Sequence, residues 1–464
     1  MAARKAYIVG VGMTAFTKPA DRDYPILGLE ASVKALIDAG LTYDDVHVKA
    51  LIDAGLTYDD VQYAAAGYVY GDSTCGQRVL YQLGMTGIPI VNVNNNCSTG
   101  SSAFNLAANA VLAGQAECAL AVGFEKMAPG SLSSAFTDRA APMEGTMAQL
   151  FEIEGDKEYQ TEDFGPFAAR IFGAAGLEYC EKYGATWDHI AEISAKNHLH
   201  AKNNPYAQFR ATPSKEQVLK ARKITREVTL PMCSPTSDGG AAVIVASEDF
   251  VKKHGLEDRA IELAGMGVAT DSIRLYEDRS RIELAGADMS RRAAKIAYQQ
   301  AGVGPQDIQV LELHDCFAPN ELVTYPALGL CAEGDAHKLV EQKLNTYNDS
   351  GKGWVVNPSG GLESKGHPLG ATGLGMIKYM VDQLRGDAGA LQVKNVKHAL
   401  THNIGLGGSC VVTILRRPAF FKAGATNSAK RFGYNAGDQV KSITEEDLDK
   451  VKSKQYSDYL PADL

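Results

Sequence analysis

Several features that would settle a protein's class at once are missing from this sequence. Its eight cysteines (Cys75, Cys97, Cys118, Cys180, Cys233, Cys316, Cys331 and Cys410) form no CxxC pair, and no histidine cluster of zinc spacing accompanies them. They read as free thiols in a reducing compartment, and no secretory signal pattern opens the chain. Long apolar runs are lacking too. Val411 to Leu415 is representative of the longest, far below the roughly 20 residues that a membrane-spanning helix needs. No GK[ST] closes a glycine-rich loop and no GxGxxG follows the first strand, which weakens Walker-type and dinucleotide readings. There is no excess of positive charge: 46 Lys+Arg against 55 Asp+Glu give a formal net charge of -9, which argues against nucleic acid as the main partner.

What is present is an ordinary globular composition, 45% hydrophobic and 22% charged, in a chain of 464 residues that exceeds one hydrophobic core. Short runs rich in Val, Ile and Ala recur at Tyr7 to Val11, Ile90 to Val93, Cys118 to Val122, Ala241 to Ala246, Ile308 to Leu313 and Cys410 to Leu415. Helix-like stretches lie between several of them, so the pattern is α/β with buried strands. A layout of strand, small-residue turn, helix and strand occurs twice. Ile90 to Val93 leads through Asn94 to Ser102 into a helix to Leu112 and then Cys118 to Val122. Trp354 to Asn357 leads through a glycine-rich turn into a helix from about Thr372 to Leu384 and a strand from His398. Two similar halves are expected. Gly130 to Arg226 between them lacks clear strands and suits an inserted cap or loop domain, while Pro418 to Leu464 is charged and reads as a peripheral tail.

One literal repeat exists. Val33 to Val46 and Val48 to Val61 both read VKALIDAGLTYDDV. Each copy suggests a helix ending at a left-handed glycine cap, Gly40 or Gly55. One copy suffices to join a helix to the strand near Gln62; the other is expected as a tandem insertion adding a helical turn at the surface, with a sequence artefact as the alternative.

Chemistry concentrates in three blocks. Cys97, in NNNCSTGSSAF, follows a strand and precedes a helix of small residues, where unpaired N–H groups favour a thiolate. A thiol pKa near 7 there would leave it about half ionised at neutral pH; a small buried thiol is the equally weighted alternative. His314 and Cys316 occur in ELHDCFAPNE after the run Ile308 to Leu313, where side chains can point into a crevice; alone, each is more readily a structural residue. His367 lies in NPSGGLESKGHPLGATGLG, whose glycines let backbone N–H groups approach a ligand. With the turn HNIGLGG (His402 to Gly408), these blocks form a kit for thioester chemistry: a thiolate to carry acyl groups, an acid/base for the carbanion, and N–H donors for oxyanions.

Those blocks resemble the thiolase superfamily from about Lys5 to Arg417, and within it the branch of the thiolase domain of sterol carrier protein X. TSDGGAA, YVYGDSTCGQR and NNPYAQF are further stretches of that kind. The resemblance implies a five-layer αβαβα thiolase fold of two similar halves with an inserted loop domain. The division expected is 1–125 with 227–255 for the N-terminal half, 126–226 for the loop domain, 256–417 for the C-terminal half and 418–464 for the tail. It implies Cys97 as acylated nucleophile, His367 as its activator and oxyanion donor, and His314 where other thiolases position a water with Asn. The N–H groups of Cys97 and Gly405 would make a second oxyanion hole, and Ser234 would lie near coenzyme A. Many thiolases take a second cysteine from a CxG turn. Here that position is Asn403, so Cys316 is expected as acid/base. The implied reaction is cleavage of a 3-oxoacyl-CoA by CoA, with no permanent cofactor and no metal, in a homodimer or homotetramer. Alternatives are a biosynthetic Claisen-condensing enzyme and a non-catalytic acyl-CoA or lipid-binding protein. Peroxisomes are the resemblance's compartment, otherwise the cytoplasm; the chain closes on Pro461-Ala462-Asp463-Leu464 and not on an SKL-like signal.

Overall fold

A computed structural model describes residues 4–40, 56–128, 138–155, 164–348, 351–421 and 427–456. Its strands are β1 (Ala6–Met13), β2 (Tyr63–Gly67), β3 (Ile90–Val93), β4 (Cys118–Glu125), β5 (Lys223–Thr225), β6 (Val228–Thr229), β7 (Gly239–Ser247), β8 (Ile261–Ala269), β9 (Val310–Glu312), β10 (Val355–Val356), β11 (His398–Gly405) and β12 (Ser409–Arg416). All but β5 and β6 share one sheet in the order β10-β9-β11-β12-β8-β1-β7-β4-β2-β3.

Read inward from either edge, that order is the same motif twice. β3, β2 and β4 run parallel, then β7 and β1 pair antiparallel. β10, β9 and β11 run parallel, then β12 and β8 pair antiparallel. The halves meet through Tyr7 opposite Glu262 and Ile8 opposite Ile261.

The period-two alternation of each strand sorts its side chains between layers. Tyr7, Val9, Leu120 and Val122 cluster with Ala31, Val33 and Ala35 of the outer helix Tyr24–Ala39. Ile8, Ala119, Ala121 and Val243 face the other way, onto Phe104 and Ala107 of the helix Thr99–Leu112 and Leu374 and Ile377 of Leu369–Arg385. Val310, Ala399 and Val411 of the second half enter this same central core. Their neighbours Leu311, Leu400 and Val412 face the outer helix Ala287–Ala301. The result is αβαβα, with every residue of Leu369–Arg385 buried in the middle layer.

The two halves also seat their outer helices alike. A Cβ on Gly10 or Gly12 of β1 would collide with the carbonyl oxygens of Ala35 and Ala31, and one on Gly265 or Gly267 of β8 with those of Ala297 and Ala293. Glycines on the strand and alanines four apart on the helix bring backbone against backbone in both halves.

Between β4 and β7 lie the helices Glu144–Glu154, Phe167–Tyr183, Trp187–Ala201 and Lys215–Lys220. This stretch also holds the β5–β6 ribbon, which the sequence pattern did not predict: its strands are too short for periodicity to register, and they turn at Arg226 with φ 43°. Among the described residues no helix is long and apolar enough to cross a membrane.

The charged C-terminal segment is bound to the body more firmly than its composition suggests. It carries the helices Ser428–Phe432 and Glu445–Val451. Arg431, 4% exposed, bridges Asp38 at 2.6 Å and Asp387 at 2.5 Å, and Arg385 reaches the same Asp38 at 2.6 Å.

The doubled sequence is divided between elements. Val33 to Gly40 of the first copy completes the helix Tyr24–Ala39, while Leu56 to Val61 of the second passes through a 3-10 turn into β2. The predicted extra helical turn and the cap at Gly55 fall on residues 41–55, outside the described residues. Gly40 does end the helix, but with φ -92° and not in the left-handed conformation expected of it.

Candidate active site

The three sequence blocks converge. β3 delivers Asn96, whose left-handed φ of 51° is one that Asn tolerates, and the turn it makes sets Cys97 two residues before the helix Thr99–Leu112. Asn96 Nδ2 donates to Leu406 O at 3.0 Å, tying this turn to the end of β11. β9 delivers His314 to Cys316, and His367 sits two residues before Leu369–Arg385.

Cys97 Sγ and a ring nitrogen from each of His314 and His367 lie within 4.8 Å of one another. The two rings meet edge to face, centroids 5.2 Å apart. Cys316 stands outside the 4.8 Å group, yet its buried thiol lies close enough to feel charge on Cys97. Gly405 backs onto the nucleophile turn: a Cβ there would strike Asn95 O and come within 2.7 Å of Ser98 Oγ. Ser234 belongs to the neighbouring loop, its N–H donating to Cys316 O at 2.8 Å.

Electrostatics correct one expectation. Burial, followed by the nearby Glu125 carboxylate, pushes the Cys97 thiol up to about 12, so the free site holds a thiol and not a thiolate. Loss of water outweighs whatever the adjoining helix N-terminus contributes. Both histidines are neutral: burial, then Lys365, takes His367 down to about 3, and burial, then His367 and His402, holds His314 well below the usual imidazole range. Burial, with Cys97 and Asp315 adding to it, likewise raises the Cys316 thiol. His367 Nε2 is buried without a hydrogen-bond partner. A neutral imidazole with an unpartnered nitrogen beside a neutral thiol can take the thiol proton as attack proceeds.

Supporting residues emerge that the sequence did not single out. Glu125, at the end of β4, accepts from the N–H groups of Val69 (3.1 Å), Tyr70 (2.9 Å) and Gly370 (2.8 Å), joining the loop beside Cys97 to the start of the central helix. A lone carboxylate closing the apolar strand CALAVGFE was its one signal. Behind His314 and Cys316, Asn197 Nδ2 faces Asp315 (3.0 Å), Glu321 (2.9 Å) and Glu363 (3.1 Å). Lys196 pairs with Glu321, and Lys365 with Glu312 at 3.1 Å. No buried cation is left for Asp315 and Glu363 within this group, and burial raises both carboxyls. Asp315 accepts from Leu362 N at 2.7 Å and so braces the turn that leads to His367.

Residues 6–227 match the family described as thiolase, N-terminal domain, and residues 273–417 match thiolase C-terminal domain-like. The chain is 49% identical over 416 residues to sterol carrier protein 2 of Rattus norvegicus, covering 89% of this chain and 72% of that protein. It is 44% identical over 420 residues to non-specific lipid-transfer protein-like 2 of Caenorhabditis elegans, covering 89% and 96%. Among solved structures, human mitochondrial 3-ketoacyl-CoA thiolase in complex with CoA superposes with a TM-score of 0.60 at 20% identity, over 90% of this chain and 99% of that one.

Proposed function

Since this chain belongs to the thiolase family, whose members are generally acyltransferases, we propose that it cleaves 3-oxoacyl-CoA, of medium to long or 2-methyl-branched chain, using CoA as co-substrate. The observation that carries this reading is the convergence of Cys97, His314 and His367 within 4.8 Å. His367 Nε2 takes the Cys97 proton as sulfur attacks the 3-oxo carbon. The bond between C2 and C3 then breaks, leaving the shortened acyl group on Cys97 and acetyl-CoA (or propionyl-CoA) as an enolate, whose C2 takes a proton from Cys316. Incoming CoA gives its thiol proton to Cys316 and attacks the acyl-cysteine, and Cys97 leaves with the proton held on His367. His314 and His367 serve the thioester oxyanion, and the N–H groups of Cys97 and Gly405 the tetrahedral one. Buried, water-poor surroundings strengthen each of these contacts. CoA would lie against the loop segment 126–226, with Ser234 beside it; 1–125 with 227–255, 256–417 and 418–464 form the two halves and the tail.

A homodimer or homotetramer in the peroxisome is the setting the family resemblance favours. The lipid-transfer name of the nematode relative supports a second reading, a binder without turnover. CoA-dependent loss of a 3-oxoacyl-CoA, followed through its magnesium-enolate absorbance, separates the two. Turnover abolished by Cys97→Ala supports the enzyme; ligand binding without turnover supports the binder and rejects the proposal.

A further inference from the structure

Each of the two histidines is held by one ring nitrogen, and the groups that hold them are of opposite kind. Ser101 Oγ donates to Asn403 Oδ1 at 2.9 Å. With its oxygen engaged in this way, Asn403 turns its amide NH2 to His314 Nδ1 at 3.0 Å. An amide NH2 only donates, so Nδ1 of His314 is the bare nitrogen of that ring. His402 does not compete for it, since its own Nδ1 faces the backbone N–H of His314 at 3.4 Å. A neutral imidazole carries one proton, which places that of His314 on Nε2.

His367 is set the other way. Its Nδ1 lies 2.7 Å from Thr372 Oγ1, and the Thr372 hydroxyl gives its own proton to Pro368 O at 3.0 Å. Thr372 can therefore only accept from the ring, Nδ1 of His367 carries the proton, and Nε2 is a bare lone pair. That is the buried nitrogen without a partner.

We infer that Asn403 and Thr372 are positioning residues that lock His314 and His367 in opposite neutral tautomers, His314 presenting an N–H to the reacting oxygen and His367 a lone pair to the Cys97 thiol. The roles rest on the thiolase reading above; the tautomers do not. Two imidazoles side by side would otherwise be interchangeable, and with both lone pairs facing the thiol the oxygen would lack its donor. The side-chain amide at position 403 and the hydroxyl at 372 divide the work: one histidine serves as hydrogen-bond donor, the other as base. Neither group needs to touch substrate for this.

The first test needs no variant. Two-bond 15N–1H correlation spectra of the whole protein, labelled at the histidine imidazoles, should show His314 as the Nε2–H form and His367 as the Nδ1–H form; finding both in one tautomer overturns the inference. Asn403→Asp replaces the donor with an acceptor and should move the His314 proton to Nδ1. Turnover should then fall by about 10²–10³-fold, the usual cost of an oxyanion donor, while iodoacetamide alkylation of Cys97 keeps its wild-type rate. Thr372→Val should slow that alkylation, and Thr372→Ser should restore it. An Asn403→Asp protein that turns over normally, or a Thr372→Val protein alkylated at the wild-type rate, contradicts the assignment. If the wild type proves to be a binder without turnover, the spectra and the alkylation rates still decide the tautomers.

Discussion

Removing residues 41–55 should leave the protein folded and its turnover unchanged, and make it more stable. Gly40 and Leu56 lie side by side, the Leu56 N 3.5 Å from the Gly40 Cβ position, so the two ends that a deletion would join are already neighbours. Leu56 and Tyr58 are buried with Leu36 and Val33 in the outer core, so both ends are already anchored. Because the repeat is perfect, deleting any fifteen-residue window from 33–47 to 47–61 yields the same protein. Loop length alone sets the expected gain: fifteen extra residues between two fixed ends carry a closure term of about (3/2)RT ln 15, roughly 2 kcal/mol. At about 2 cal/mol/K per residue for the unfolding entropy, that is on the order of 2 °C in Tm for a chain of this size. Scanning calorimetry on the deletion and the full chain, with CoA-dependent turnover of both, tests this. A lower Tm, or a folded deletion without activity, would show that the second copy holds contacts or a function and refute the reasoning.

Other consequences are as specific. Because the Cys97 thiol is pushed up to about 12, its neutral form dominates throughout the accessible range, so the iodoacetamide rate should keep rising with pH beyond 9; a plateau above pH 7 would indicate the thiolate that the sequence alone suggests. Arg431→Ala leaves Asp387 and Asp38 short of a cation in a buried cluster and should cost about 3–5 kcal/mol in urea unfolding; a loss below ~1 kcal/mol would mean that the tail is only surface-bound. Asp315→Asn mimics the protonated carboxyl and should retain stability and activity, whereas Asp315→Ala strips the acceptor from Leu362 N, costs about 1–3 kcal/mol and lowers turnover; equal damage from both would show that the carboxylate itself is needed.

Much of the fold was readable because its strands are buried on both faces. Val- and Ile-rich runs such as Gly239–Ser247 and Ser409–Arg416 stand out against their surroundings. β2, YAAAG, is anticipated only as a strand near Gln62 without bounds, since alanines signal helix as readily as strand. β8, IELAGMGVA, hid behind Gly265 and Gly267, which look like turn residues and instead admit the helix Ala287–Ala301. The blocks around Cys97, His314 and His367 were legible because polar and small residues cluster abruptly at strand ends. Their supports were not. Asn403 acts through Ser101, 302 positions away, and Arg431 meets Asp38 across 393, separations that local pattern cannot bridge. The Cys97 pKa was misjudged for the same reason: helix proximity is written in sequence, while loss of water depends on everything packed around the sulfur.

The central claim is that Cys97 carries the acyl group and Cys316 supplies the proton that lets acetyl-CoA leave. Mass spectrometry after mixing protein with a 3-oxoacyl-CoA in the absence of free CoA tests both at once. The expected result is one shortened acyl group on the Cys97 peptide with one equivalent of acetyl-CoA released, and neither from Cys316→Ala. Unmodified Cys97, or an adduct on a different cysteine, would contradict the account.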